Sequence, residues 1–167
     1  MSEVIEWLFE CREVFPKLDK FAIEGIYAPL SCKLLGRMKG AAVSFTDIDA
    51  ARLLLEGIAD KKRSLKSENK FQIEVNQNLQ KIGPIELRKQ VVQHVLLHEL
   101  MHIDCQDHIV SAKSYARRKR KKFHTKEFEA KIHEKYNQLR KAQGLPEITN
   151  ADNVHLAVNK IASKVLK

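Results

Sequence analysis

Two histidines and a glutamate fall within five consecutive residues, His98-Glu99-Leu100-Met101-His102. Side chains four residues apart on an α-helix share one face, one turn apart, so His98 and His102 can bind a single metal ion. Glu99 follows His98 directly and can reach a water on that ion. The pattern is the HExxH signature, which predicts one zinc ion held by the two histidines, with Glu99 as the catalytic base.

The residues around this motif are apolar almost all round the predicted helix, which is typical of a buried helix. They are Val91, Val92, Val95, Leu96, Leu97, Leu100, Met101 and Ile103. Histidine and glutamate side chains in such a helix need polar partners, because unpaired polar groups in a protein core are costly. A metal ion would satisfy them. The alternative is a core helix whose histidines make ordinary hydrogen bonds.

A catalytic zinc usually has three protein ligands and one position open to water, so a third ligand is expected. His94 lies on the same helix face, but eight residues of helix separate it from His102 by about 12 Å, too far for one ion. His124 follows a loop and begins the next helical segment, so it can fold back over the metal. Glu127, one turn later, is the alternative third ligand.

The positions of several other polar residues do not favour a role as metal ligands. Asp104 and Asp107 point away from the metal if the helix continues straight. Three further histidines are expected at the surface: His108, His133 and His155. Two tyrosines are candidates for stabilising an oxyanion, with packing as the default role for both: Tyr115 and Tyr136.

Length and composition indicate one globular domain with a sizeable core, since the chain has 167 residues, 44% of them hydrophobic and 31% charged. The first ten residues carry acids where a secretory signal would carry Lys or Arg, and no apolar run approaches membrane-spanning length. We therefore expect a cytoplasmic protein with no membrane partner. Cys11, Cys32 and Cys105 form no CxxC pair, so neither a disulfide framework nor a cysteine zinc site is predicted.

The formal net charge of +9 belongs almost entirely to one segment. Lys113 to Lys126 contains eight positive charges and no Asp or Glu, so the remainder of the chain has a net charge of only +1. DNA or RNA is the obvious polyanion for such a loop. The predicted contacts are Lys113, Arg117, Arg118, Lys119, Arg120, Lys121 and Lys122. A solvated loop or an acidic protein partner is the alternative.

The residue pattern predicts an α+β protein, mainly helical, with a small sheet beside the HExxH helix. Phe71 to Asn76 alternates apolar and polar residues and is the clearest strand. As the edge of the sheet, it would pair with an extended peptide substrate. A second strand is predicted over Ala41 to Phe45. Helices are predicted over residues 3–20 with a break at Pro16, from Thr46 or Asp47 to Ile58, from Pro84 through the motif, over residues 123–143, and after Asn150.

Three stretches together resemble the SprT-like metallopeptidases and the related phage metallopeptidases: FQIEVN, VVQHVLLHELMHI, and FHTKEFEAKIHEKY after a basic loop. The resemblance covers roughly Gly36 to Leu139 and is most specific at HELMH. SprT-like domains have a strand, an HExxH helix, and a third histidine in a His-Gly-x-x-Phe pattern that opens the next helix. By this match His124 takes the place of the third ligand and Phe128 that of the packing aromatic.

This sequence departs from that family at one position beside the predicted ligand. Thr125 stands where the family usually has Gly, and a β-branched residue tolerates positive φ poorly, so the local turn must differ. The chain also lacks the zinc-ribbon cysteines of many SprT-like proteins. The resemblance implies a single zincin-like metallopeptidase domain over residues 1–167, with a basic loop at about 111–123 and a C-terminal helical extension at about 150–167.

The predicted function is zinc-dependent hydrolysis of peptide bonds, with Glu99 as general base for a metal-activated water. SprT-like relatives include proteases that act on DNA-bound proteins, so nucleic-acid-associated proteins are the implied substrates. One alternative is a non-enzymatic, basic nucleic-acid-binding protein with a structural zinc site. Another retains hydrolytic zinc chemistry but acts on an amide other than a peptide.

Overall fold

The computed structural model describes residues 2–39, 70–105 and 124–166. These residues contain four helices and three strands, in the order α1 (Glu3–Arg12), β1 (Ala22–Ala28), β2 (Gly36–Lys39), β3 (Lys70–Asn76), α2 (Ile85–Asp104), α3 (Lys126–Ala142) and α4 (Ala151–Ser163). Short 3-10 turns lie at Pro16–Leu18 and Gln77–Lys81. The predicted α+β class is confirmed, while the zincin-like identity stays a prediction.

β3 is the central strand of the sheet, whose order is β1-β3-β2. It pairs with β1 in parallel and with β2 in antiparallel orientation. The prediction that this strand forms the sheet edge is therefore wrong, because both of its sides are already paired. Within the described residues the edge strand next to α2 is β2, in which Gly36 pairs with Val75 and Met38 with Ile73.

Helices α1 and α2 cover one face of this sheet. Phe71, Ile73 and Val75 of β3 are buried on that face, as their alternation predicts. A Cβ on Gly36 would lie only 2.5 Å from Cγ1 of Val95 on α2. The strand and the helix therefore approach more closely at Gly36 than any other residue type would permit.

Two polar residues of β3 are buried although the simple alternation predicts them to be exposed. The carboxylate of Glu74 accepts hydrogen bonds from Arg37 and is also paired with Lys39, both on β2. The side-chain amide of Asn76 donates to the carbonyl oxygens of Leu30, Ser31 and Leu34, at 3.4, 3.1 and 2.8 Å. Asn76 therefore fixes the loop that joins β1 to β2.

The ends of the helices follow their local sequence signals. α1 ends before Pro16, where the sequence predicts a break. α2 begins directly after Pro84, and α3 ends at Ala142, two residues before Gly144 with its φ of 70°. A left-handed residue after a helix end is usually glycine, because glycine has no Cβ to clash.

α4 packs onto the core through Val154, Val158 and Ala162, which are buried, and Leu166 just beyond the helix is buried as well. The predicted strand at 41–45, the predicted helix to Ile58 and the predicted basic loop lie outside the described residues. None of the described helices combines the length and apolar character needed to cross a lipid bilayer.

Candidate metal centre

α2 places the first two predicted ligands side by side. His98 and His102 lie one helical turn apart, and their Nε2 atoms are 3.3 Å from each other. Both rings are partly buried, while the residues on either side of them, Leu97, Leu100 and Met101, are packed into the core. The apolar residues of the helix thus fix its rotation and direct both imidazoles to the same opening.

The start of α3 brings in the third histidine. Nε2 of His124 lies 3.1 Å from Nε2 of His98 and 3.1 Å from Nε2 of His102. The three nitrogens are close enough together to bind one metal ion. Three imidazoles in a triangle cannot all hydrogen-bond one another, because each Nε2 offers either one proton or one lone pair. A cation between them would satisfy all three lone pairs.

Thr125 explains how His124 reaches this position without glycine. Its backbone is extended, with φ −102° and ψ 165°, so the turn requires no positive φ. It is the N-cap of α3, and its Oγ1 accepts a hydrogen bond of 3.2 Å from the backbone N–H of Phe128. Threonine is a favoured N-cap because its hydroxyl satisfies a backbone donor that the helix leaves free. The turn at Thr125 is therefore compatible with a β-branched residue.

Phe128 forms the base on which the three imidazoles rest. Its ring centroid lies 5.4 Å from that of His98, 4.6 Å from that of His102 and 5.5 Å from that of His124. Only 4% of this side chain is exposed. Because one buried ring contacts all three histidines, it restricts their rotation and positions their nitrogens relative to one another.

Glu99 is buried beside this group, with 8% of the residue exposed. Burial raises the pKa of its carboxyl group to about 7, and a hydrogen bond from the backbone N–H of Met38 opposes that rise. Burial also lowers the pKa of His98 to about 3, with His102 and His124 adding to the effect. The His98 imidazole is therefore neutral, as a metal ligand must be.

The three histidines and Glu99 open into a cleft of about 330 Å³. α2 forms its floor, β2 and the preceding loop form one wall, and α4 forms the other through His155, Val158 and Asn159. His155 is exposed, as predicted, but it faces this cleft. The sequence pattern does not predict that α4 contributes side chains to the site.

His94 lies outside the three-histidine group, as its distance along α2 predicts. It is buried and stacks edge-on against Tyr136, with ring centroids 5.6 Å apart, in a second cavity that His133 also lines. Burial lowers the pKa of His94 to about 4. Tyr136 faces this second cavity rather than the cleft of Glu99, so it packs against His94 and is not positioned to stabilise an oxyanion in that cleft.

The alternative third ligand is directed elsewhere. Glu127 is exposed, and its carboxylate lies 2.8 Å from the Lys131 ammonium group. Asp104, at the end of α2, is also outside the three-histidine group. The remaining candidates lie outside the described residues: Asp107, His108, Tyr115, and the seven basic residues Lys113, Arg117, Arg118, Lys119, Arg120, Lys121 and Lys122.

Comparison of the chain with protein-family models, with curated proteins and with solved structures found no match. The resemblance to SprT-like metallopeptidases therefore stays a prediction based on its motifs, and the site must be interpreted from its own geometry.

Proposed function

We propose that this protein is a zinc-dependent metallopeptidase whose ligands are His98, His102 and His124 and whose general base is Glu99. The observation that carries this proposal is the position of a buried carboxylate next to three converging imidazoles at the floor of an open cleft. Among the described side chains that line the cleft, Glu99 is the only acid.

The distances in the histidine group support zinc. In tetrahedral coordination with Zn–N bonds of about 2.0–2.1 Å, two ligand nitrogens lie about 3.3–3.4 Å apart. The observed separations of 3.1, 3.1 and 3.3 Å come within a few tenths of an ångström of that value. A set of three histidines also suits zinc better than magnesium or calcium, which prefer oxygen ligands.

The number of ligands favours a catalytic site over a structural one. Structural zinc sites are usually closed by four protein ligands, whereas catalytic sites have three and leave a position for water. The described residues provide three, and the site faces the cleft. A structural site would also have no use for a buried carboxylate beside its ligands. These features count against the alternative of a non-enzymatic nucleic-acid-binding protein.

When bound, zinc supplies a Lewis acid that acidifies a water and polarises the carbonyl group of the substrate. Glu99 accepts the proton of the attacking water as its oxygen bonds to the carbonyl carbon. The same carboxyl group then gives the proton to the leaving amine as the C–N bond breaks. The hydrogen bond from the backbone of Met38 holds this carboxylate towards β2.

β2 supports a peptide as the substrate rather than another amide. Gly36, Arg37 and Met38 line the cleft, and β2 pairs through only one side within the described residues. An extended peptide can add to such an edge through backbone hydrogen bonds, which select conformation more than sequence. Pairing with an extended peptide, which the sequence predicts for the strand at 71–76, is therefore proposed for β2 instead.

The decisive test is Glu99→Gln, which preserves the shape of the side chain and removes its basicity. We expect wild-type protein loaded with zinc to cleave an unstructured protein such as casein, and the variant to bind zinc equally but to cleave at least about 100-fold more slowly. Zinc content by mass spectrometry and cleavage on gels measure the two properties separately. Equal cleavage by both proteins would contradict the role of Glu99.

A further inference from the structure

The lining of the cleft beside the three histidines includes an aliphatic section. Its side chains are those of Leu34, Leu35, Val95 and Val158. Leu34 is 42% exposed, so much of its apolar surface is in contact with water. An apolar side chain of a bound peptide would remove this surface from water.

The rim of the cleft on the β2 side carries excess positive charge. Arg37 lines the cleft but is paired with the carboxylate of Glu74. Lys33, in the loop before β2, is exposed, lines the cleft and has no ion pair within the described residues. Among the described residues that line the cleft, Lys33 is therefore the lysine or arginine whose charge no carboxylate balances.

The opposite wall is different in character. α4 presents His155 and Asn159 to the cleft, and neither side chain is acidic or bears a fixed positive charge. Among the described residues that line the cleft, the lysine and arginine side chains are therefore confined to the side next to the edge strand. A ligand that fits both walls has an anionic group near Lys33 and an apolar group over Val95 and Val158.

We propose that the cleft selects extended peptides that carry an acidic side chain beside an apolar one, and that Lys33 is the main determinant of the acidic preference. This inference rests on the proposed function for the identity of the substrate as a peptide. A nucleic acid would also supply negative charge, but its phosphates would meet the aliphatic section and the Glu99 carboxylate. A peptide fits better because its charge can be limited to one side chain.

Cleavage of matched fluorogenic peptides tests the preference directly. The peptides share an apolar residue next to one variable position, which is Glu, Gln or Lys. We expect wild-type protein to cleave the Glu peptide about fivefold more efficiently than the Gln peptide, the size of a favourable exposed ion pair. Lys33→Glu should reverse the order and favour the Lys peptide. Lys17→Glu makes the same change in net charge at an exposed site that does not line the cleft, and should leave the order unchanged.

Binding to the Glu99→Gln variant separates this inference from the proposed function. Fluorescence anisotropy of the same labelled peptides, with and without Lys33→Glu, reports recognition without hydrolysis. A preference for the Glu peptide that depends on Lys33, without cleavage by the wild type, would support the inference and count against the peptidase. Cleavage with no such preference would overturn the inference alone. Tighter binding of a single-stranded oligonucleotide through Lys33 than of the Glu peptide would overturn it in favour of nucleic acid.

Discussion

At the scale of single residues, the site depends on Thr125 as well as on the ligands themselves. The Thr125 hydroxyl caps α3 and fixes the direction in which the chain enters the helix. His124 immediately precedes this cap, so its ring position follows from the cap geometry. Phe128, whose backbone N–H the cap binds, is also the ring that contacts all three histidines. One hydrogen bond thus orders both the third ligand and its packing partner.

Thr125→Ala should weaken zinc binding although Thr125 is not a ligand. Loss of an N-cap hydroxyl typically costs about 1 kcal/mol of stability. Because His124 is then held less firmly, we expect zinc affinity to fall about tenfold, as for other residues that orient ligands. Thr125→Ser retains the hydroxyl and should bind zinc as the wild type does. Competition with a chromophoric chelator measures both affinities, and equal losses in the two variants would rule out the cap as the cause.

The choice of third ligand shows what local sequence can and cannot determine. Helical periodicity alone predicts the placement of His98 and His102, because four residues of one helix fix their separation. His124 and Glu127 both belong to the start of α3, so spacing cannot choose between them. The choice depends on how α3 packs against α2, which directs His124 inwards and leaves Glu127 paired with Lys131 at the surface.

At the scale of elements, the close approach of β2 to α2 shapes the cleft beside the three histidines. Gly36 permits this approach, since a Cβ at that position would also lie 3.3 Å from the Glu74 carbonyl oxygen and 3.4 Å from Oε1 of Glu99. The neighbouring contact between the Met38 backbone and the Glu99 carboxylate depends on the same approach. The position of β2 and that of the Glu99 carboxylate therefore depend on the same packing contact.

Gly36→Ala should reduce both stability and peptide cleavage. The added methyl group would lie 2.5 Å from Cγ1 of Val95, so the strand or the helix must move. Overpacking of this kind typically costs about 1–3 kcal/mol. Val95→Ala removes the opposing methyl groups, so the double variant should recover much of the cleavage lost in Gly36→Ala. Urea unfolding and peptide kinetics of the wild type, the two single variants and the double variant measure the coupling between Gly36 and Val95. Strictly additive effects would show that the contact between these two residues does not limit how closely β2 approaches α2.

The sheet was only partly predictable from sequence. Alternation in residues 71–76 identifies β3, but alternation does not reveal which strands lie beside it. β1 has a similar signal, with Ile23 and Tyr27 directed to the same face, yet Gly25 interrupts the apolar pattern because α1 packs closely over it. β2 has four residues, too few for any periodicity to be distinctive. Its position at the edge depends on pairing between segments distant in sequence.

At the scale of the whole molecule, the metal centre joins two helices that are separate in sequence. Two ligands come from α2 and one from α3, so a bound ion would cross-link them. Apolar packing already holds these helices together through buried residues such as Leu100 and Ile132. We therefore expect the apoprotein to remain folded but to be less stable than the zinc-bound form.

Removal of zinc with a chelator should lower the melting temperature. Free zinc at 1,000 times its dissociation constant stabilises the folded state by about 4 kcal/mol, which corresponds to roughly 10 °C for a chain of this size. Glu99→Gln should show the same difference in melting temperature between its zinc-bound and zinc-free forms, since its proposed ligands are intact. His124→Ala should show a much smaller difference. Differential scanning calorimetry measures these melting temperatures. An equal shift in His124→Ala would exclude that histidine as a ligand.

The distribution of charge along the chain leads to a prediction about nucleic acid. The basic run ends at Lys122, two residues before the proposed ligand His124, and contains most of the net charge of +9. If all seven predicted contacts between Lys113 and Lys122 bind phosphates of duplex DNA, the logarithm of the affinity should fall with the logarithm of salt concentration with a slope of about −6.

Replacement of Arg118, Lys119, Arg120 and Lys121 by Gln should make this slope shallower by about half, because four phosphate contacts are lost. The same protein should retain zinc and cleave short peptides as the wild type does, since none of the four residues is a proposed ligand or the proposed general base. DNA binding by fluorescence anisotropy between 50 and 200 mM salt, roughly the range over which phosphate contacts are most apparent, measures the slope. A flat dependence in the wild type would show that the basic run does not contact phosphates, and would remove the reason to propose nucleic-acid-associated substrates.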